Sequence, residues 1–334
     1  MKRLSIISSL ALFLLVLCAG CGSDAPSQTD AHPQSAEQTS HAVTESTTDA
    51  PIVYMTTDIS AQGLLDIYHA LNVTLPDEGV AVKISTGEDG SNYLQPSLIA
   101  DLVHEVNGTI VECNTAYGGE RANTAYHYQL AEDHGYTDIA EVDIMDADGS
   151  MTLPVTGGSH LAENYVGSHL ENYDYIAVLS HFKGHAMAGY GGALKNISIG
   201  IASSDGKAHI HSGGTGGNMW SGEQDAFLES MAEAGKSVND YMHGNMLYIN
   251  VMNRLSVDCD CDTNPAEPDM HDIGILASTD PVALDQACVD LVYAAEDGAT
   301  LVERIESHNG LLTLAHAEEI GLGSRAYRLV ETDA

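Results

Sequence analysis

Positive charge is scarce in this sequence. Its 334 residues include 12 lysines and arginines against 48 aspartates and glutamates, which gives a formal net charge of −36. Nucleic acids and anionic membrane surfaces are bound by clustered cationic side chains. The composition therefore excludes a nucleic-acid partner. It indicates solubility through acidic charge, with a specific cationic ligand as the alternative.

Long apolar runs are scarce as well. The run from Leu4 to Leu17 follows a positively charged start and precedes Ala19-Gly20-Cys21. It is too short to span a bilayer comfortably and is typical of a secretory signal. We predict a signal peptide over residues 1–21 and acylation of Cys21, which would make membrane lipid a partner. A plain cleaved signal with an unmodified cysteine is the alternative.

The segment after the signal has no aromatic residue, lysine or arginine. Residues 22–50 consist mainly of Ser, Thr, Ala, Asp, Gln and Pro. Such a segment cannot bury enough apolar surface to offset its ordering entropy. We predict a disordered tether over 22–50 and a folded domain over 51–334, lipid-anchored on the extracytoplasmic face of the cell membrane.

Cysteine is too rare for a disulfide framework. Cys18 is lost with the predicted signal and Cys21 is predicted to be acylated. The cysteines that remain are Cys113, Cys259, Cys261 and Cys288. A single bridge among them is compatible with an oxidising compartment.

The rest of the chain alternates between strand and helix patterns. Short β-branched or aliphatic runs predict strands at Ile52–Met55, Val80–Ser85, Thr109–Asn114, Ile139–Ile144, Tyr175–His181, Met246–Asn253 and Asp272–Ser278. Helix starts are predicted at Ser60, Pro96 and Pro281. This order predicts an α/β fold with a largely parallel sheet and helices on both faces, in one lobe or in two with a cleft between them.

Two segments interrupt this alternation and are predicted to be long functional loops. Met187 to Gly222 is rich in glycine and histidine, and Val257 to His271 is rich in acids and contains two cysteines. In largely parallel sheets, ligands collect at the carboxyl ends of the strands. The chemistry is therefore expected in the loops that follow the strands.

The first candidate site follows the strand Tyr175–His181. It contains three of the chain's 12 basic residues, a concentration that suits an anionic ligand, and glycines whose backbone can approach such a ligand closely. Imidazoles can ligate a metal or transfer protons near neutral pH. The predicted catalytic residues are His181, Lys183 and His185, and the predicted cofactor-binding residues are Gly191, Gly192, Lys195 and Asn196.

His209 and His211 are predicted metal ligands. They would point to the same side of an extended segment, whereas His181 and His185 lie one turn apart if their loop coils. The alternative is that the histidines only form hydrogen bonds to the backbone of a crowded loop.

The second candidate site is the sequence D-C-D-C-D. In an extended chain Cys259 and Cys261 would present a soft edge to a thiophilic metal, and Asp258 and Asp260 an edge of oxygens. A redox disulfide and an acidic surface turn with inert thiols are the alternatives. A third group that includes Glu112 and Arg121 could line the same cleft.

Five motifs together resemble the DUF362 family. They are K-I-S-T-G-E at Lys83–Glu88, V-E-C-N-T-A-Y-G-G at Val111–Gly119, S-H-F-K-G-H at Ser180–His185, G-G-A-L-K-N-I at Gly191–Ile197 and D-C-D-C at Asp258–Cys261. The resemblance spans residues 52–330 and implies an uncharacterised, often iron-sulfur-associated protein. Many relatives carry a ferredoxin-like cysteine insert, but Ser212 to Met246 contains no cysteine, so a ferredoxin-type cluster is not expected.

A shorter stretch, Gly189 to Lys195, is similar to the G-[YF]-S-G-G-x-K stretch of lactate racemase and its nickel-pincer relatives. That resemblance implies that Lys195 holds a pyridine-derived cofactor, with His211 and His185 serving nickel binding and proton transfer. The chain lacks the early D-x-T-R type segment of that family.

Three functions remain open at this point. One is a metal- or cofactor-dependent enzyme acting on a small anionic substrate, with nickel, zinc or iron as the metal. The second is a non-catalytic metal or redox-partner lipoprotein that acts through Cys259 and Cys261 and serves a membrane redox complex. The third is a solute-binding lipoprotein.

Overall fold

Short, mostly buried strands form the centre of the structure. The computed structural model describes residues 49–333. In chain order the strands are β1 (Ile52–Thr56), β2 (Val80–Lys83), β3 (Thr109–Glu112), β4 (Val142–Ile144), β5 (Ser150–Pro154), β6 (Glu163–Gly167), β7 (Tyr175–His181), β8 (Lys183–His185), β9 (Gly189–Gly191), β10 (Met246–Met252), β11 (Gly274–Ser278) and β12 (Arg328–Glu331).

The helices lie mainly between these strands and in the C-terminal third of the chain. They are α1 (Ala61–Ala70), α2 (Pro96–Glu105), α3 (Thr124–Asp133), α4 (Ala193–Ser198), α5 (Ser204–His211), α6 (Gln224–Tyr241), α7 (Pro281–Ala294), α8 (Ala299–Ser307) and α9 (Leu311–Glu319). Short 3₁₀ helices cover Glu120–Ala122, Tyr136–Asp138 and Ser168–Asn172.

Within residues 49–333, eight strands form one sheet in the order β12-β1-β11-β10-β7-β2-β3-β4. Five of its seven strand pairings are parallel, and only the two that involve β11 are antiparallel. Two hairpins, β5-β6 and β8-β9, stand apart from this sheet. The α/β class and the largely parallel sheet predicted from the sequence are confirmed.

Apolar residues on alternate positions of the strands face opposite sides of the sheet. In β7, Ile176 and Val178 join the core that includes α4, α6 and α7, whereas Ala177 and Leu179 join the core that includes α1 and α2. The sequence of a strand with both faces covered is a nearly continuous apolar run, as it is in β7 from Tyr175 to Leu179. Helices therefore cover both faces of the sheet, and residues 49–333 belong to one compact unit.

Local sequence signals set the helix starts as predicted. The Ser60 side chain accepts a hydrogen bond from Gly63 N (3.1 Å), and Pro96 is the first residue of α2. Pro281 begins α7 behind Asp280, whose carboxylate accepts from the first amides of that helix. The first four N–H groups of a helix have no partner within the helix. A side chain that accepts from them is therefore favoured just before the helix, and proline, which lacks an N–H, is favoured in its first turn.

The prediction of one long loop over Met187 to Gly222 is wrong. That segment forms β9, α4 and α5, and the Ser203 side chain caps α5 by accepting from Gly206 N (3.2 Å). Val257 to His271 is irregular, as predicted.

The predicted signal peptide, Cys21 and residues 22–48 of the predicted tether lie outside the described residues. Among residues 49–333, no helix combines the length and apolarity that crossing a membrane requires.

Candidate active site

A cavity of about 450 Å³ lies at the carboxyl ends of β2, β3 and β7. Its position follows the general rule for parallel sheets. Most of its surface is apolar. The polar, charged and sulfur-containing side chains that line it include Lys83, Glu112, Arg121, His181, His185, Lys195, Asn196, Lys207, His211, Asp258, Cys259, Asp260 and Cys261.

The floor of the cavity is a buried network of charges. Glu112 at the end of β3 contacts Lys83 Nζ at 3.1 Å and Arg121 Nη1 at 3.5 Å. Burial raises the pKa of the Glu112 carboxyl, but Lys83 and Arg121 outweigh it and bring the pKa down to about 2. Arg121 also donates to Glu88 (2.7 Å). Glu112 and Arg121, which were predicted to line the cleft, therefore meet Lys83 and Glu88 in this floor.

Asn196 links α4 to this floor and to β7. Its Oδ1 accepts from Lys83 Nζ (2.9 Å), and its Nδ2 donates to Ser180 Oγ (3.0 Å). Both ends of the amide are therefore engaged within the protein. In this geometry Asn196 orients α4 and the lysine that precedes it in the sequence.

The start of α4 is closed to anions, contrary to the sequence prediction. The buried Asp285 carboxylate of α7 accepts from Ala193 N (2.8 Å) and Leu194 N (2.9 Å). A Cβ on Gly192 would lie 2.4 Å from Asp285 Oδ1, so glycine is required there for this contact. The N–H groups expected to receive a phosphate or carboxylate are thus already paired.

Gly191 has a different role, because it leaves room for Lys195. A Cβ on Gly191 would lie 3.1 Å from Lys195 Cδ. The Lys195 ammonium group lines the cavity and has no hydrogen-bond or ion-pair partner within residues 49–333. Burial lowers its pKa to about 8; Glu112 opposes this shift, while nearby cations including Lys207 reinforce it.

His185 presents an N–H to the cavity. Its Nδ1 accepts backbone hydrogen bonds from Met187 N (3.2 Å) and Ala188 N (2.9 Å). In a neutral imidazole the proton must then be on Nε2. Burial lowers its pKa well below the ordinary value, and Lys195 and His211 add to that effect. His185 is therefore a neutral hydrogen-bond donor at its Nε2. The segment does not coil, because His185 lies in β8, so the helical spacing of His181 and His185 that a coiled loop would give does not occur.

His211 has the opposite proton arrangement. Its Nδ1 lies 2.7 Å from the Lys207 carbonyl oxygen, to which it must donate, so Nε2 carries the lone pair. The ring stacks on Phe227 with centroids 4.6 Å apart. Burial lowers its pKa to about 4, so the ring is neutral near pH 7. It can accept a proton or bind a metal ion through Nε2.

His209 does not share this site. The segment expected to be extended is helix α5, in which residues two apart lie on nearly opposite faces. The His209 ring packs against Tyr165, with centroids 5.1 Å apart, outside the lining of the cavity. The predicted pairing of His209 and His211 as metal ligands is therefore wrong.

His181 and Lys183 hold the cysteine-containing loop in place. Asp260 contacts His181 Nδ1 at 3.0 Å and Lys183 Nζ at 2.8 Å, and all three side chains are buried. The other ring nitrogen of His181 contacts Asn253 O (2.9 Å), and Lys183 also donates to Asn92 O (3.1 Å). Because these polar atoms are engaged by the Asp260 carboxylate and by backbone carbonyls, the geometry gives both residues a positioning role in place of the predicted catalytic one.

Cys259 and Cys261 form a disulfide in the cavity wall. A ring nitrogen of His185 and the two sulfurs all lie within 4.8 Å of one another, which makes a possible His/Cys site for an unidentified metal. The carboxylates predicted beside them are already paired, since Asp260 contacts Lys183 and Asp258 contacts Arg304 (3.3 Å).

Two positions in the cavity could hold a metal ion, the cysteine pair beside His185 and the ring of His211, and they differ in how well they fit one. The disulfide occupies both sulfurs, and the proton on Nε2 of His185 excludes that atom as a neutral ligand. His211 Nε2, with its Nδ1 hydrogen bonded to a carbonyl, has the arrangement usual for a ligating histidine. His211 can thus supply one nitrogen ligand, although it belongs to no group of three metal-ligating side chains among the described residues, and the cysteines fit a metal only after reduction and a change of tautomer at His185.

Sequence reasoning missed the apolar wall and the Asp285 cap. The wall consists of Met187, Ile199, Met219 and Trp220. Trp220 is the only tryptophan of the chain and is 68% exposed, so its rarity and its glycine-rich surroundings were a usable signal. Asp285 lies in a helix about 90 residues further along the chain than α4, and no local sequence pattern indicated that it caps α4.

Comparisons with known proteins identify a family but no activity. The family model described as "Domain of unknown function (DUF362)" matches residues 80–290, which confirms the predicted family. No curated protein matches.

Two solved structures are similar to parts of the chain. The lactate racemase apoprotein from Thermoanaerobacterium thermosaccharolyticum has 13% identity and a TM-score of 0.42, covering 72% of this chain and 56% of that one. A protein from Thermotoga maritima has 13% identity and a TM-score of 0.38, covering 78% and 58%. This chain therefore spans less than two thirds of either structure, and both scores are below 0.5.

Proposed function

The chain belongs to the DUF362 family, described as a domain of unknown function, and we propose that it is an enzyme that transfers a proton on a small anionic substrate. One observation carries this proposal. An unpaired lysine, Lys195, lies in the same cavity as two neutral histidines with opposite proton arrangements, His185 and His211. A substrate held by the lysine would meet a proton donor and a proton acceptor together.

Lys195 is the proposed anchor for the anion. Among the described residues its ammonium group has no partner, whereas Lys83 is paired with Glu112, Arg121 is paired with Glu88, and Lys207 donates to the Ala202 carbonyl (2.6 Å). A carboxylate or phosphate bound there gains a charge-assisted hydrogen bond in a largely apolar cavity. The volume of about 450 Å³ suits a small molecule, and the apolar wall limits water around it.

The two histidines supply the proposed acid and base. Nε2 of His211 would take a proton from the substrate, and the Nε2–H of His185 would donate to the charge that develops. The pKa of each ring is lowered mainly by burial, so both are neutral at the start of the reaction. This arrangement supports racemisation, isomerisation or elimination next to an acidic group.

A metal or metal-containing cofactor bound at Nε2 of His211 would occupy the lone pair of the proposed base, so it is an alternative to proton transfer by that ring. His211 would be its nitrogen ligand and Lys195 the group that holds an anionic part of the cofactor. A bound metal ion would supply Lewis-acid stabilisation of charge on substrate oxygen.

His211→Gln is expected to abolish proton exchange. A panel of small 2-hydroxy and 2-amino carboxylic acids would be incubated with the full chain in D₂O, and loss of the Cα–H signal followed by proton NMR. Removing the base should slow exchange by about 100- to 10,000-fold. The control His209→Gln, on the same helix but outside the cavity, should exchange at the wild-type rate.

The same proteins distinguish the competing functions. Trp220 fluorescence reports binding at the cavity. Exchange lost in both variants would contradict the assignment of His211, and binding without exchange by the wild type would support a solute-binding protein and overturn the enzyme. Elemental analysis of both variants adds an independent readout, because a metal held by His211 should be lost only from His211→Gln.

We also propose that the protein is anchored to the extracytoplasmic face of the membrane through acylated Cys21. Its support is the N-terminal sequence, Leu4 to Cys21. The Cys21→Ser variant is expected to lose incorporation of a labelled fatty acid and to leave the membrane fraction. Labelling that persists in this variant would contradict the anchor.

A further inference from the structure

The Cys259–Cys261 disulfide is placed where a structural bridge is not needed. It joins residues two apart in sequence, and both half-buried cysteines line the cavity. In the chain-entropy account, a disulfide stabilises a fold by restricting the unfolded chain, and the effect grows with the length of the loop that it closes. A loop with one intervening residue gives this bridge close to the smallest possible effect.

Other contacts fix the loop that carries the disulfide. The backbone of Asp260 accepts from Glu88 N (2.8 Å), and its side chain is ion-paired with Lys183. Arg304 donates to the Val257 carbonyl (2.9 Å). These contacts do not involve the sulfur atoms. The loop is therefore expected to keep its position when the disulfide is reduced.

The two sulfurs have different surroundings. Cys259 Sγ accepts the backbone N–H of Cys261 at 3.3 Å, and such donors stabilise a thiolate. The ring of His185 lies within 4.8 Å of both sulfurs. Two of the three neighbouring carboxylates are neutralised, Asp258 by Arg304 and Asp260 by Lys183, so their repulsion of a thiolate is reduced.

We propose that Cys259 and Cys261 are a reversible redox pair that exchanges with a dithiol at the cavity. A thiolate of the dithiol attacks Cys261 Sγ, the bond between the two cysteine sulfurs breaks, and Cys259 leaves as a thiolate that holds the electron pair. The second thiol of the dithiol then attacks the mixed disulfide and releases Cys261. The dithiol is oxidised to its disulfide, and Cys259 and Cys261 are reduced to a dithiol by two electrons and two protons. This inference is independent of the proposed proton-transfer function.

The first test is reduction of the folded protein. The full chain is incubated with dithiothreitol without denaturant, free thiols are blocked with N-ethylmaleimide, and labelled peptides are identified by mass spectrometry. Cys259 and Cys261 are expected to become labelled, and oxidised dithiothreitol should reverse the reduction. The buried Cys113 and Cys288 are internal controls that should stay unlabelled.

Two outcomes would overturn the proposal. One is a pair that resists dithiothreitol until the protein unfolds. The other is reduction accompanied by labelling of Cys113 and Cys288 and by loss of the folded circular dichroism signal, since the bridge would then be structural.

A second test uses single variants to check the difference between the sulfurs. In Cys261→Ser the remaining Cys259 keeps the thiolate-stabilising environment, apart from the altered neighbour. Its mixed disulfide with oxidised glutathione is expected to form about fivefold faster than that of Cys261 in Cys259→Ser. Equal or reversed rates would contradict the assignment of Cys259 as the leaving thiolate.

Discussion

Lys195→Met is expected to remove anion binding and at the same time to stabilise the empty protein. The bound anion would lose a charge-assisted hydrogen bond of about 1.5–3 kcal/mol, which corresponds to roughly 10- to 150-fold weaker binding. In the absence of ligand, the substitution removes an ammonium group that burial and nearby cations disfavour. A gain of about 1 kcal/mol would raise the melting temperature by roughly 2–4 °C.

The pH dependence of this stabilisation has a definite sign. The pKa of Lys195 is about 8 in the folded protein against an ordinary value of 10.5. Below pH 8 the lysine is charged in both states, and the folded state carries the full penalty. Between pH 8 and 10.5 the unfolded state binds more protons, so the stability of the wild type rises with pH. The advantage of Lys195→Met should therefore shrink across that window.

The measurements are Trp220 fluorescence titration with the acids that bind the wild type, and thermal melts from pH 6 to pH 10. Lys236→Met is the matched control, because Lys236 lies in α6 and pairs with Asp240 at the surface. The control should retain binding. Full affinity in Lys195→Met would eliminate the lysine as anchor, and a lower melting temperature would contradict the argument that its charge is uncompensated.

Glu112→Ala is expected to cause the largest loss of stability, about 3–5 kcal/mol in the free energy of unfolding. The substitution removes the carboxylate that contacts both Lys83 and Arg121 and leaves buried cations under-compensated. Glu303→Ala, at an exposed carboxylate in α8, should change stability by no more than about 0.5 kcal/mol. Urea unfolding at pH 7, followed by circular dichroism, measures both.

Two further comparisons test the cause. The pKa of Glu112 is about 2 in the folded protein and 4.5 ordinarily, so its contribution is complete above pH 4.5 and is lost as the pH falls from 4.5 to 2. The gap between the wild type and Glu112→Ala should close over that range. The double variant Glu112→Ala, Lys83→Met should recover part of the loss, and a double variant as unstable as the sum of the single variants would indicate that cavity formation dominates.

The sequence predicted the sheet far better than it predicted the surroundings of the cavity. The bounds of β7 match the prediction, because Tyr175 to Leu179 form one apolar run and six of the seven residues of the strand are buried. Pro96 and Pro281 begin helices because proline fixes its own φ and lacks the N–H that is unpaired at a helix start. These signals are local, so they can be read without knowledge of the neighbouring elements.

The site depends on contacts between distant parts of the chain. His185 and Cys259 meet because β7 and β10 are parallel neighbours, with His181 opposite Val251. No local pattern in either segment shows this pairing. Met187 to Gly222 was predicted to be a loop because its strand and helices are short and its glycines obscure the helical periodicity of the sequence. The capping of α4 by Asp285 similarly depends on where α7 packs.

The pairing of β1 constrains the order in which the molecule can be completed. β1 is the first strand, yet its two neighbours are β11 and β12, more than 200 residues later in the chain. During synthesis both edges of β1 stay unpaired until β11 (Gly274–Ser278) has emerged, and one edge stays unpaired until β12 (Arg328–Glu331) follows. Closing contacts over such long separations is slow, and an unpaired apolar strand is prone to aggregation meanwhile. The C-terminal residues, although remote from the cavity in sequence, thus decide when the nascent chain becomes a finished domain.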